Sequence, residues 1–432
     1  MAVKPNLALI PSGVKASKLY SVLPSDGVGD FDFSRSGSAT RINKDGLIET
    51  VDSNVPRLNY PLIDGVVSGC PSLLLEPERR NLVQYSEDIE SWGTSGVITK
   101  QNNVSISPDG TLNAGTITSN ASNFDRITQT ISVSANSTYT GSLFIKKVQS
   151  QTNYMGIGFI FTGGTTDVGY VIFDAVNGIA VSADARIDVI SEVKDFGDYW
   201  NLQSTATDNG GNTSLQFNIY ATLSTNGTTT GLGISSPRTI WGLQLEQGSY
   251  ATSYIPTNGS QVTRSAETCN NAGDANTFND SEGVLMAEIS AFAETGRISL
   301  NDGTTNNNVR LVYDATNVIY AILFNGTNQA FLTYTLPIEG GFNKIAFKYK
   351  ASDFALWIDG IEVDSQVGSG TTFTSVTLSE LDFDAGNGLV PFYGSAKQIQ
   401  YFDKALNNTD LEELTSWTSF NEMATAQLYT IE

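Results

Sequence analysis

The sequence predicts an all-β chain, two antiparallel β-sandwich domains preceded by an extended N-terminal segment. Three observations predict it. Short runs rich in Val, Ile, Thr, Phe and Tyr dominate, many of them alternating with period two. Turn dipeptides punctuate those runs, among them Asp45-Gly46, Asp109-Gly110, Asn209-Gly210, Asn226-Gly227, Asp302-Gly303, Asn325-Gly326 and Asp359-Gly360. Finally, no helical periodicity separates strands such as 140–147, 155–161, 215–221, 309–313, 344–349 and 354–358, which argues against a doubly wound parallel sheet.

The elements follow in order. Residues 1–80 hold few apolar alternations, prolines at Pro5, Pro11, Pro24, Pro56, Pro61, Pro71 and Pro77, and basic spots at Arg35, Arg41, Arg57, Arg79 and Arg80. Such an extended, turn-rich segment needs something to pack against. Residues 81–265 form one strand-rich block ending in Tyr254-Ile255-Pro256-Thr257-Asn258-Gly259, and residues 266–432 a second. Within the second, one short helix is expected, with Asn408 as its cap, Asp410, Glu412 and Glu413 near its positive end, and Leu411 and Leu414 on one face. No repeat of fixed 20–50-residue period is present, so propellers and solenoids are disfavoured.

Composition narrows the function classes. The 432 residues contain no histidine and only two cysteines, Cys70 and Cys269. That excludes Ser-His-Asp and Cys-His nucleophile pairs and His-ligated zinc. Twenty-four basic residues against 45 acidic ones give a net charge of −21, which repels nucleic acid and anionic lipid. The N-terminal residues lack an apolar core of signal-peptide length, and no apolar run approaches 18 residues, so a chain made in a cytoplasm and not inserted in a membrane is expected. Cys70 and Cys269 flank the middle block; a disulfide and two free thiols are both open, with free thiols the default in a reducing compartment.

Two sets of motifs resemble known families. Phe31-Asp32-Phe33-Ser34-Arg35-Ser36-Gly37-Ser38-Ala39-Thr40-Arg41, Asn54-Val55-Pro56-Arg57, Leu73-Leu74-Leu75-Glu76-Pro77, Arg80-Asn81-Leu82, Ile240-Trp241-Gly242-Leu243-Gln244-Leu245-Glu246 and Val262-Thr263-Arg264 resemble, as a set, a group of tailed-bacteriophage virion proteins. Between them, Asn81-Leu82 followed by Trp92 resembles the opening of a carbohydrate-binding jelly roll. In the last block, Asn343-Lys344-Ile345-Ala346-Phe347, Leu356-Trp357-Ile358-Asp359-Gly360 and Pro391-Phe392-Tyr393-Gly394 resemble a laminin-G/concanavalin-A-like lectin sandwich. The resemblance implies a fibre, appendage or decoration protein of a virion, made in the host cytoplasm, with residues 1–80 docking on other virion structural proteins. It further implies host-surface glycans as partners and a homo-oligomer, a trimer by preference. A scaffold without sugar affinity and a secreted bacterial carbohydrate-binding protein are the alternatives.

Candidate residues follow from strand parity and charge. If Phe354, Leu356 and Ile358 face the core, Trp357 and Asp359 face outward, where a bare indole offers a sugar-stacking surface. In 154–161 the odd-numbered side chains are apolar, leaving Tyr154 beside Gly156 and Gly158 as a side-chain-poor floor, with Phe144 and Lys146 on the same face. For Trp357, Asp359, Tyr154 and Phe144, coverage by a neighbouring subunit or loop stands beside the ligand reading. Trp200 and Trp241 are expected in the core. Glu380, Asp382 and Asp384 fall on one strand face, but the Glu-x-Asp-x-x-Glu pattern of concanavalin-like glucanases has Ala385 at its last position, so no catalytic residue and no enzyme activity are expected. Ca²⁺ is the one cofactor considered, with Asp382 and Asp384 as candidate ligands and Asp302, Asp314, Glu87 and Glu246 as further carboxylates.

Overall fold

The computed structural model describes residues 3–119, 125–149, 154–183, 187–223, 237–337, 341–374, 377–418 and 420–427, and in it both strand-rich blocks close into antiparallel sandwiches. The expected strands are present as Thr138–Lys146, Tyr154–Thr162, Ser214–Leu223, Asn307–Tyr313, Asn343–Lys350 and Asp353–Ile358. The Asn226-Gly227 turn lies outside the described residues.

The middle sandwich faces one six-stranded sheet with another. In the first, Ser214–Leu223 lies between Arg126–Ser132 and Tyr154–Thr162; in the second, Thr138–Lys146 lies between Pro237–Gln247 and Tyr199–Thr207. Alternation fixes what is inside: Met155, Ile157, Phe159 and Phe161 meet Leu215, Phe217 and Ile219 from the neighbouring strand and Leu143 and Ile145 from the opposite sheet. Trp92 is buried against Phe217 and donates its indole N–H to the Tyr85 carbonyl, while Asn81 donates to the Ile255 carbonyl and accepts from Leu245 N–H. The two jelly-roll signature residues are therefore closing bolts of this sandwich.

The last sandwich sets a five-stranded sheet, ordered Asn328–Thr335, Val318–Asn325, Asn307–Tyr313, Gly296–Asn301 and Glu380–Asp382, against an eight-stranded one. Three strands of the larger sheet come from the N-terminal segment. Leu7–Leu9 and Ser72–Leu75 both pair with Gly394–Phe402, and Arg57–Asn59 extends the sheet beyond Ser72–Leu75. Leu7, Leu9, Leu58, Leu73 and Leu75 join the same core as Phe347 and Leu356. The extended segment expected over residues 1–80 thus finds the packing partner it needs in its own chain. Its short strands supply apolar edges too small to fold alone, and the sheet edge left by Gly394–Phe402 needs them.

Helix Asn408–Ser416 lies on the outer face of the eight-stranded sheet. Its cap is Asn407, whose Oδ1 accepts from Asp410 N–H at 3.0 Å, one residue earlier than expected. A second helix, Phe420–Ala426, follows where only one was expected. No helix among the described residues is long and apolar enough to cross a membrane. Cys70 is exposed, Cys269 is buried, and both are free thiols.

Candidate functional site

The motif residues converge on one buried ionic cluster. Arg35 and Arg57 come from the N-terminal segment with Glu76, Arg264 from the end of the middle block and Glu267 from the connection to the last one; all five are buried. Arg35 Nη1 donates to Glu267 Oε1 at 2.7 Å, Arg57 grips both Glu267 oxygens, and Arg57 and Arg264 contact Glu76 Oε2 at 2.8 and 2.9 Å. Ser253 adds its N–H and hydroxyl to Glu76. Burial alone would raise the Glu76 carboxyl, but Arg264 and Arg57 outweigh it and hold it at about 2. Burial likewise works against charge on Arg57, and Glu267 and Glu76 hold it above its ordinary value. With every charge engaged internally, this cluster is a junction and not a ligand site.

The sequence-derived candidates fall apart in space. Trp357 has the expected parity, but only 6% of it is exposed: Leu411 and Leu414 of the helix, with Val284, Met286 and Ala346 of the sheet, enclose the indole. The indole thus faces away from the sandwich core as expected, but it is not bare: the chain's own helix covers it. Asp359 is an exposed turn residue; its carboxylate accepts from Lys344 N–H and Asn343 Nδ2, and with φ of +48° and +85° the Asp359-Gly360 pair makes the tight reversal. Phe144 lies in the other sheet of the middle sandwich from Tyr154, so the two share no face. It is buried among Trp241, Tyr254 and Tyr199 beneath Ile48 of the N-terminal hairpin, with Phe196 edge-on at 5.1 Å. Trp241 is buried as expected, but in this outer cluster; Trp200 is half-buried, with Lys147 Nζ 4.0 Å above its ring. The floor beside Tyr154 is not open, because a Cβ on Gly158 would stand 2.5 Å from the Tyr220 ring and 2.9 Å from Tyr170. Those rings fill the groove, and Tyr154 packs half-buried at their edge.

Among the described residues the candidate carboxylates are not gathered around a common point as Ca²⁺ ligands. Asp382 accepts from Asn271 N–H at 2.7 Å and Asn301 Nδ2 at 2.8 Å, and Asp384 from Asn270 Nδ2 and Gly386 N–H. Each of these oxygens already accepts a hydrogen bond from a fixed protein donor, and a cation would compete with those bonds. Glu246 is buried and bonded to Thr252 and Gln244, Glu87 accepts from Tyr254 and Asn113, and Asp302 and Asp314 cap turns. Among the described residues no group of three or more acidic, Cys or His side chains is placed to hold a metal.

Burial pushes Asp382 up to about 7, against the two hydrogen bonds it accepts. The native state then keeps a proton that the unfolded chain releases near 3.8, so this group's contribution is whole below that value and is lost as pH rises through about 7. Thermal unfolding at a series of pH values should show that loss in the wild type and not in Asp382→Asn. Millimolar Ca²⁺ at pH 7 should leave the melting temperature unchanged; a rise abolished by Asp382→Asn would restore the metal reading.

What sequence reasoning missed is a cleft of about 500 Å³ between the sandwiches. One wall is the outer face of the middle sandwich, with Thr140, Gln203, Thr205 and the exposed Ile190; the other comes from 290–293 and the turn 313–317. At the seam Tyr250 stacks on Phe292, centroids 4.9 Å apart and planes 11° from parallel, and Arg79 lies over Tyr250 while pairing with Glu294. The cleft mixes hydroxyl and amide groups with apolar side chains and an aromatic seam, and Glu192, Lys194 and Asp314 also line it. No local pattern could reveal it, since the residues of its two walls lie 85 to 177 positions apart and only the junction brings them together.

No family profile and no curated protein matches the chain. Among solved structures it is similar to the CBM40 of the Ruminococcus gnavus IT-sialidase bound to α2,3-sialyllactose, at 15% identity over 32% of this chain and 84% of that one, with a TM-score of 0.29. It is also similar to domains LG4-5 of the mouse laminin alpha1 chain, at 10% over 73% and 95% with a TM-score of 0.21, and to a heptameric SAP-like pentraxin of Limulus polyphemus, at 16% over 32% and 71% with a TM-score of 0.27. At such scores these likenesses carry no argument, and the reading of this chain rests on its own residues.

Proposed function

We propose that this chain is a structural protein of a tailed-bacteriophage particle that presents the cleft between its two sandwiches to host-surface glycans, as a binding protein and not an enzyme. The cleft is the observation that carries the glycan part. Its walls offer neutral hydroxyl and amide groups next to stacked aromatic rings, the combination that satisfies sugar hydroxyls and covers sugar C–H faces. The particle part is supported by the motif set that resembles virion proteins: its Arg35, Arg57, Glu76 and Arg264 serve one structural element, so the resemblance is to a working unit. Docking on other virion proteins and trimeric assembly belong to the same proposal.

Antibodies against the chain should decorate tailed particles by electron microscopy, and particles without it would overturn the virion role. On an array of bacterial surface polysaccharides, Ala293→Trp should fill the cleft from an exposed position and weaken binding at least tenfold, about 1.4 kcal/mol, with the melting temperature unchanged. Binding that ignores this substitution would remove the cleft. The burial of Trp357 and Phe144 favours one second reading, a particle scaffold without sugar affinity, for which no glycan on the array would bind.

A further inference from the structure

We infer that the outward face of the five-stranded sheet in the last sandwich binds a single carboxylated sugar through Arg297 and Arg310. This site is separate from the cleft, which neither arginine lines, and stands without it. Ile298, Leu300, Val309 and Leu311 point into the core, so the arginines between them point out. Arg297 lies opposite Val312 and Arg310 opposite Ser299, which makes the arginines diagonal neighbours, about 7–8 Å apart along the backbone and within reach of each other through their side chains.

Neither guanidinium meets an anion among the described residues, and Arg310 lies over the Phe324 ring with its Cζ 5.5 Å from the centroid. In each the Nε is buried without a hydrogen-bond acceptor, and neither forms an ion pair among the described residues, although acidic residues outnumber basic ones by 45 to 24. The nearest carboxylate along the row is Asp382, beyond Ser299, and its oxygens are taken by Asn271 and Asn301. Burial, and then repulsion from Arg297, brings Arg310 down to about 10, with no acid opposing the shift. Two like charges held half-buried side by side are unfavourable unless an anion completes them. A carboxylate meets two such forks with paired N–H···O bonds.

The rest of the face identifies the class of ligand. Arg310, Ile322 and Phe331 form one row across three strands, and Tyr320 lies beside Phe331 with ring centroids 5.4 Å apart. Phe331 is 48% exposed. An aromatic step next to a guanidinium pair suits a sugar ring carrying one carboxylate better than a free phosphate. A single negative charge also meets little repulsion from the net charge of −21, whereas a nucleic acid meets a great deal.

The test is calorimetric titration of the full chain with short oligosaccharides ending in uronic or sialic acid, their neutral amides, inorganic phosphate and a single-stranded oligonucleotide. The acidic sugars should bind, with the amides at least tenfold weaker, and Arg297→Gln and Arg310→Gln should each weaken the acidic sugars at least tenfold. Arg310→Gln should keep or raise the melting temperature, because it removes an unpaired charge. The proposal is overturned by no binding of any acidic sugar, by equal affinity for acid and amide, by preference for phosphate or oligonucleotide, or by indifference to both substitutions. A melting temperature lowered by Arg310→Gln would make that guanidinium a structural group and overturn it as well.

Discussion

Replacing Glu267 with alanine is expected to destabilise the protein by roughly 3–5 kcal/mol, the cost of breaking a buried ion pair from one side. Glu267 accepts from Arg35, from both arms of Arg57 and from the Glu76 backbone N–H, so its loss takes the carboxylate from buried Arg35 and leaves buried Arg57 with Glu76 alone. The cluster joins the N-terminal segment to both sandwiches, and the damage should appear in the first unfolding transition as separation of the two blocks. Urea unfolding followed by tryptophan fluorescence measures it; a change below about 1 kcal/mol would mean that the junction is held by its apolar edges alone. Acid should act in the same place. Glu76 sits at about 2 in the folded chain against 4.5 in the unfolded one, so its contribution is whole above 4.5 and is lost as pH falls through about 2. The difference is on the order of 3 kcal/mol, and it runs opposite in sign to the Asp382 effect.

The same junction shows where the sequence is readable. Strands, turns and the parity of each strand are local properties, which is why the inward set of 155–161 and the Asp359-Gly360 turn are found where alternation puts them. Long-range pairing is not local. Arg35 reads as a basic spot in a proline-rich stretch because its partner Glu267 is 232 residues away, and Leu7–Leu9 reads as part of an arm because its partner strand is at the other end of the chain. The candidate sites failed for the same reason. Parity says that Phe144 leaves the core of its sandwich, but only the fold says that Ile48 returns to cover it. Arg297 and Arg310 carry no motif, and their meaning appears only when the structure places them side by side with each Nε buried and unbonded and no ion pair among the described residues.

Trp357→Ala is the second large effect, expected at about 3–5 kcal/mol for a buried aromatic truncated against packed neighbours. Parity alone would put this residue on an outer surface, where truncation costs little. In the structure the indole faces Ala346 on the paired strand, whose small side chain leaves room for it, and Leu411 and Leu414 close over the top. Truncation should therefore loosen helix Asn408–Ser416 first, and limited proteolysis should cut there before the sandwich unfolds. The measurement needs the full chain, because Leu7, Leu58 and Leu73 from the N-terminal segment belong to the core beneath this sheet. Trp357 Nε1 is buried without a partner, so Trp357→Phe removes an unsatisfied donor together with part of the ring and should cost less than about 1.5 kcal/mol. A small loss for alanine with the helix still protected would return Trp357 to the surface. A loss for phenylalanine as large as that for alanine would show that the full indole, and not the apolar seal, holds the helix down.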